Sequence, residues 1–366
     1  MLALYKMNFI SQKIIPSVLL LVCTTTVALA ATTNTISDGP YISYADSKLA
    51  VNAICNGAVV KNSLLKSLDT NRCFNQFNKT TSVLSEHVRS PLIYQGNFDV
   101  IAVSDFHGQY DLMLDLLVNN NVIDQEYNWN FGNGHLVITG DVFDRGDKVT
   151  EILWLLYKLE QQAKKASGNI HLLLGNHEVM VLNGDLRYLH NKYEKVSVML
   201  NTPFAKLYSK DSVLGQWLRS KNVLVKINSQ LFAHGGFHPD LVQQKLTLAQ
   251  VNEVFVNNLV KNELANDRSE LATYLHKTNG PIWYRGYFRE PKASVAQIDS
   301  LLKHFSVSSI IVGHTSMPQI ESHFNGKVIA IDSSIKKGVY GELLLIQGDK
   351  KSRLTLSGEQ LPLKQI

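Results

Sequence analysis

Five short apolar runs along this chain each stop at a side chain that offers oxygen or imidazole donors. The run within 98–104 ends at Asp105 and His107, and 136–140 ends at Asp141. The run 170–175 ends at Asn176 and His177, 231–233 at His234, and 310–313 at His314. Apolar runs of this length, closed by Gly or Ser, read as buried strands. Between them, 111–118 and 150–165 carry apolar residues at helical spacing, so strand alternates with helix and the chain reads as α/β. A largely helical insertion is expected between 179 and 230, and more helix over 246–275. Strands are expected at 328–332 and 343–346, and a surface connection over 119–134. Residues 31–97 carry none of the polar stops. Within them 41–44 reads as a strand and 58–68 as a short helix. The organisation expected is a leader over 1–30, an N-terminal extension over 31–97 packed on the catalytic body, a catalytic domain over 98–350, and a C-terminal tail over 351–366.

In open α/β sheets ligands gather at the carboxyl ends of strands. Five strands that all end in donors therefore imply bound cations. Asp105 and His107 are two apart and point to the same side, so together they can hold one metal. Asp141, with two carboxylate oxygens, can bridge to a second held by Asn176, His234 and His314. Oxygen and imidazole donors without thiolate suit Mn, Fe or Zn. Two such ions activate a bridging water and steady both the attacking and leaving oxygens of an in-line displacement, which is the chemistry of phosphate ester hydrolysis. Arg145 and Arg285 can clamp phosphate oxygens with a planar fork that lysine lacks. His177 is placed to protonate the leaving oxygen, and Asp144 to orient it. His135, His171 and His238 read as ordinary packed histidines.

The N-terminus bears on compartment. Lys6 and Lys13 precede an apolar stretch over 14–30 that ends in Ala28-Leu29-Ala30, the small-x-small pattern of a cleaved export signal. The stretch is short for a membrane span. A periplasmic or secreted protein with no stable membrane association after cleavage is the expectation, and Val22 before Cys23 argues against lipidation. Cleavage takes the net charge from +5 to +3. The basic pairs are scattered without aromatic interleaving, so nucleic acid is not an expected partner. Export leaves Cys55 and Cys73, an even count that favours a disulfide. Neither has Arg at the sixth following position, so a thiol nucleophile is set aside.

The motifs Ser104-Asp-Phe-His-Gly108, Gly140-Asp-Val-Phe-Asp-Arg-Gly146, Gly175-Asn-His-Glu178, His234-Gly-Gly236 and Gly313-His-Thr315 resemble, in order, the signature of calcineurin-like metallophosphoesterases. The full Asp-Arg-Gly and Asn-His-Glu forms resemble the phosphoprotein phosphatase branch. Gly175–Gly184 and Gly280-Pro-Ile-Trp-Tyr-Arg285 are similar to the Shewanella-like protein phosphatases. The resemblance implies a β-sandwich flanked by helices. It also implies the metal and acid roles already read from the residues. One departure stands out: the first motif usually opens with Gly, and here it is Ser104.

The expected function is an exported dinuclear-metal phosphomonoesterase. It would act on phosphoproteins, phosphotyrosine included, by direct attack of a bridging hydroxide. A nucleotide or dinucleotide polyphosphate hydrolase on the same scaffold is the alternative, and an inactive exported binding protein the less favoured one. The oligomeric state is not legible. Pro at 9 of 366 residues, about half the usual share, hints at cold adaptation.

Overall fold

The computed structural model describes residues 35–45, 48–62, 82–261 and 267–366. The leader and Cys73 lie outside them. From Ile36 to Ile366 the chain forms one unit.

Two sheets face each other. One runs Gln360–Pro362, Lys350–Thr355, Glu342–Gln347, Val100–Val103, His135–Ile138, Asn169–Leu172. Its last three strands are parallel, and Glu342–Gln347 pairs antiparallel to Val100–Val103. The other runs Lys364–Gln365, Glu321–His323, Val328–Ala330, Ser309–Val312, Gln230–Ala233, Leu224–Ile227, Ile93–Tyr94. Ser309–Val312 is parallel to both its neighbours there. Val100, Ala102, Val137 and Leu344 of the first sheet pack with Phe232, Ile311 and Ile329 of the second. The alternate residues Ile101, Val103, Leu136, Ile138, Ile310 and Val312 turn outward. There they meet the helices Tyr110–Asn119, Val149–Lys165 and Val295–Phe305 through Leu116, Leu156 and Leu302, among others. Because both strand faces are covered, the strands are continuously apolar, and each fully buried Val, Ile or Leu contributes about 1.5–3 kcal/mol.

Three expectations are corrected. The segment 58–68 does not begin as a helix: Ala58–Asn62 is a strand paired antiparallel with Lys48–Cys55, and 63–68 lie outside the described residues. Asn56 (φ 48°) and Gly57 (φ 80°) form the left-handed turn that favours a hairpin, and the β-branched pair Val59-Val60 suits a strand. The insertion is helical over Asn191–Leu200, Phe204–Leu207 and Val213–Arg219, but Leu224–Ile227 is a strand in a hairpin with Gln230–Ala233. Residues 351–366 are built into both sheets, as Ser352↔Pro362 in one and Glu321↔Lys364 in the other.

The N-terminal hairpin Asp38–Ala45/Lys48–Cys55 lies on the helix Val149–Lys165, where the Trp154 indole donates to the Pro40 carbonyl at 2.8 Å. Its buried Asp38 pairs with Lys192 at 2.8 Å. Cys55 is disulfide-bonded, and its partner lies outside the described residues. Among the described residues no helix is long and apolar enough to cross a membrane.

Candidate metal centre

The carboxyl ends of the strands Val100–Val103, His135–Ile138, Asn169–Leu172, Gln230–Ala233 and Ser309–Val312 deliver Asp105/His107, Asp141, Asn176/His177, His234 and His314 in turn. Of the ten candidate residues, six take left-handed φ: Asp105 59°, His107 45°, Asp141 59°, Asp144 70°, Arg145 67° and His314 63°. Such conformations cost of order 1–3 kcal/mol each and persist only where the surroundings impose them. Here the loops are tied to one another. Asp105 N–H donates to the Gly140 carbonyl (3.1 Å), His107 N–H to Asp141 (2.9 Å) and Gly146 N–H to His107 (2.9 Å). Buried Glu178 accepts from the amides of Asp141, Val142 and Gly175 at 2.8, 2.7 and 2.8 Å. Gly175 is required for space, since a Cβ there would lie 2.3 Å from Asp141 Oδ1.

Each imidazole is oriented by an oxygen acceptor. His107 donates Nδ1–H to the Phe143 carbonyl (2.7 Å), His234 donates Nδ1–H to Thr139 (3.1 Å), and His314 donates Nε2–H to Trp283 (3.2 Å). His177 Nδ1 lies 2.5 Å from Asp144 Oδ2. The remaining nitrogens of His107, His234 and His314 therefore turn inward as lone-pair donors, and His177 Nε2 turns inward beside them. Asp141 Oδ2 is the hub: His107 Nε2, His177 Nε2 and His234 Nε2 lie 3.6, 3.8 and 3.2 Å from it. Asn176 Oδ1 is 3.0 Å from His234 Nε2, which is 3.0 Å from His314 Nδ1. Asp105 Oδ1 is 3.7 Å from His107 Nε2. All of these residues are buried.

These residues fit cations. Lone pairs of two acceptor nitrogens 3.0 Å apart repel unless positive charge lies between them. Buried His107 Nε2 has no hydrogen-bond partner among the described residues. The sets His107, Asp141, His177 and Asp141, His234, His314 each gather donor atoms within 4.8 Å of one another and share Asp141. The field agrees. Burial disfavours charge on His234, yet Asp141 and Asp105 outweigh it and raise its pKa to about 9. Burial would raise the Asp141 carboxyl, but His234, His177 and His107 hold it well below the usual range. His177 is likewise raised, because Asp141 and Asp144 outweigh its burial.

The two arginines sit at different depths. Arg285 is half-buried, with Nη2 3.4 Å from His314 Nδ1 and Nε buried without a partner among the described residues. Arg145 is exposed at the rim, its guanidinium 5.1 Å from the Tyr188 ring centre. His238 stays in a local turn with Asp240. His135 and His171 pair with each other in the six-stranded sheet.

Ser104, whose hydroxyl in place of the usual Gly is expected to reach Asp105 or a substrate oxygen, does the first, and several further site residues have no role from sequence. Ser104 donates its hydroxyl to Asp105 Oδ2 and accepts from Thr139 Oγ1 at 2.7 Å. Gly313 leaves room for it, since a Cβ there would fall 1.9 Å from Ser104 Oγ. Asp332, buried after Val328–Ala330, accepts from Ser316 Oγ at 2.6 Å; burial, then Asp105, raises its pKa to about 7. The rule that singled out five strand ends would have caught it as a sixth. Tyr188 and Trp283, whose rings lie 5.2 Å from His177 and 5.7 Å from His314, sit in segments without a periodic signal.

Comparison with known proteins places this arrangement. Residues 98–318 match the family model of the calcineurin-like phosphoesterases. Shewanella-like protein phosphatase 1 of Plasmodium berghei is 28% identical over 65% of this chain and 67% of its own. Shewanella-like protein phosphatase 2 of Arabidopsis thaliana is 25% identical over 70% of this chain and 77% of its own. The crystal structure of the cold-active protein-tyrosine phosphatase of a psychrophilic Shewanella species is 42% identical. It covers 90% of this chain and 100% of its own, with a TM-score of 0.84. The paired sheets with helices on their outer faces and the cluster about Asp141 are thus those of a known group of hydrolases: the chain belongs to the calcineurin-like phosphoesterases and is a phosphatase that works with divalent metal ions.

Proposed function

We propose that this protein is an exported phosphomonoesterase with two metal ions that acts on phosphoproteins, phosphotyrosine included. The observation that carries the reading is the ring of inward imidazole nitrogens about Asp141 Oδ2. Likeness to a protein-tyrosine phosphatase over 90% of the chain supports the substrate class. Export rests on the leader over 1–30 alone.

In this reading Asp105, His107 and Asp141 hold one cation, and Asp141, Asn176, His234 and His314 the other, Mn, Fe or Zn by donor type. A bound pair supplies an activated water and neutralises charge that develops on the phosphoryl oxygens. Arg285, half-buried with an Nε unpaired among the described residues, binds a phosphate oxygen from the closed side, and exposed Arg145 binds one from the rim. The pKa of His177 is raised, because Asp141 and Asp144 outweigh its burial in favour of the charged ring, and it delivers a proton from Nε2 to the leaving oxygen. Displacement is a single in-line step with inversion at phosphorus.

The test is metal analysis of the purified mature protein beside a panel of phosphotyrosyl, phosphoseryl and nucleotide substrates with added Mn. Two metals per chain and chelator-sensitive phosphotyrosine hydrolysis are expected. A preference for dinucleotide polyphosphates, or a trapped phosphoenzyme, would overturn the reading.

A further inference from the structure

We propose that Tyr188 is a leaving-group platform: the aromatic ring of a phosphotyrosyl substrate packs against it, so the site favours aryl over alkyl phosphate esters. The proposal rests on the phosphatase reading above and names what selects the substrate within it.

The direction in which the leaving group departs is fixed by His177. Its Nδ1 is committed to Asp144 at 2.5 Å, which leaves Nε2, 3.8 Å from Asp141 Oδ2, as the atom that faces the reacting phosphate. A leaving oxygen served by Nε2 lies against this imidazole, and whatever it carries emerges past it. The Tyr188 ring stands there, its centre 5.2 Å from the imidazole and tilted 53° to it. That spacing is within the range in which aromatic rings pair, so a phenyl group beside His177 comes within contact of Tyr188.

Tyr188 is 44% exposed and lies outside the hydrophobic core, so packing does not explain it. It is nevertheless held in place. Its carbonyl accepts the Arg145 N–H at 3.1 Å, which locks it to the loop that carries Asp144. The Arg145 and Arg187 guanidinium groups lie 5.1 and 5.8 Å from its ring centre. Arg187 is itself fixed by Asp185, through Nε–Oδ1 at 2.8 Å and Nη2–Oδ2 at 2.7 Å. An aromatic ring with two guanidinium groups over it, that of Arg187 held by Asp185, complements an anion joined directly to a ring. A phosphoserine, whose ester oxygen carries a single methylene, offers no aromatic ring to pair with it. Beyond Arg187 a cavity of about 410 Å³, walled by Val179, Met180 and Trp283, leaves room for the peptide that carries the ring.

The test is calorimetric binding to the Mn-loaded protein of two peptides, one bearing phosphonomethyl-phenylalanine and the other the phosphonate analogue of phosphoserine. The wild type should favour the aryl peptide. Tyr188→Ala should cut that preference about three- to tenfold, and Tyr188→Phe should retain it. Equal weakening of both peptides by Tyr188→Ala, or no change in either, would overturn the proposal. A wild type that shows the Tyr188-dependent preference without hydrolysing phosphotyrosine would refute the catalytic reading and leave the subsite standing.

Discussion

Asp141 does two things with one carboxylate. Oδ2 faces three imidazoles, Oδ1 accepts the His177 N–H at 3.0 Å, and Gly175 leaves it the space to do so. Asp141→Asn keeps the shape but removes the negative charge on which both proposed cation positions depend. It should lose at least one metal and more than a hundredfold in rate; two metals by elemental analysis with a normal rate would sink the site described here. His177→Asn asks a narrower question, since Asp141, Asn176, His234 and His314 keep their own supports. Both metals should stay while turnover falls about 10²–10⁴-fold, and the loss should shrink for esters with acidic leaving groups, which need no proton. An equal loss across a leaving-group series would count against the acid role.

At the scale of elements, the ends of the parallel strands differ from their beginnings. At its amino end the six-stranded sheet pairs His171 Nε2 with His135 Nδ1 at 3.0 Å, with Phe98 stacked on His135 at 3.9 Å. Burial lowers the pKa of His135 to about 4 and that of His171 to about 3, where His135 lowers it further. The sign follows from linkage. An unfolded chain takes up these protons below its own value of about 6.5 while the native pair does not, so stability is fully present above 6.5. It is lost as pH falls toward 4, by up to about 1.4 kcal/mol per pH unit for each histidine. Thermal unfolding of the metal-free protein between pH 7 and 4.5 should steepen with acid, and His135→Phe/His171→Leu should flatten that slope. Parallel slopes would remove the pair as a cause. Elements whose pattern is set by burial, continuous in Val100–Val103 and at helical spacing in Val149–Lys165, are legible in sequence. Ala58–Asn62 was misread because turn chemistry at Asn56-Gly57 decided it, and Leu224–Ile227 because its pairing with Gln230–Ala233 did. The donors about Asp141 were legible as strand ends. Glu178, Thr139 and Tyr188 were not, because what each does depends on loops that meet only in the fold. Cys55 raises a last question at this scale. A bond to Cys73 would tie the hairpin's last turn to the segment before the body and contribute about 3 kcal/mol. Peptide mapping without reductant should recover that cross-linked pair; two free thiols would reject it.

For the whole molecule, the metal centre is where the two sheets are joined chemically as well as by packing. The six-stranded sheet contributes Asp105, His107, Asp141 and Asn176, and the seven-stranded sheet contributes His234 and His314. Their donor atoms are buried, and across the seam His234 Nε2 lies 3.0 Å from Asn176 Oδ1 and 3.2 Å from Asp141 Oδ2. Without cations these carboxylates and lone pairs repel, and protonation of His234, raised to about 9, relieves only part of that. With cations the same atoms attract a shared charge, and anything that binds the native state alone stabilises it by mass action. At a metal concentration a hundredfold above Kd the gain is about 2.7 kcal/mol. Chelation should therefore lower the melting temperature by several degrees, and Mn should restore it in a concentration-dependent way. Asp141→Asn should melt at a temperature that responds to Mn much less. The result that would overturn this argument is a wild-type melting temperature indifferent to chelator and Mn, since the sheets would then be held by the Val100–Phe232–Ile311 packing alone.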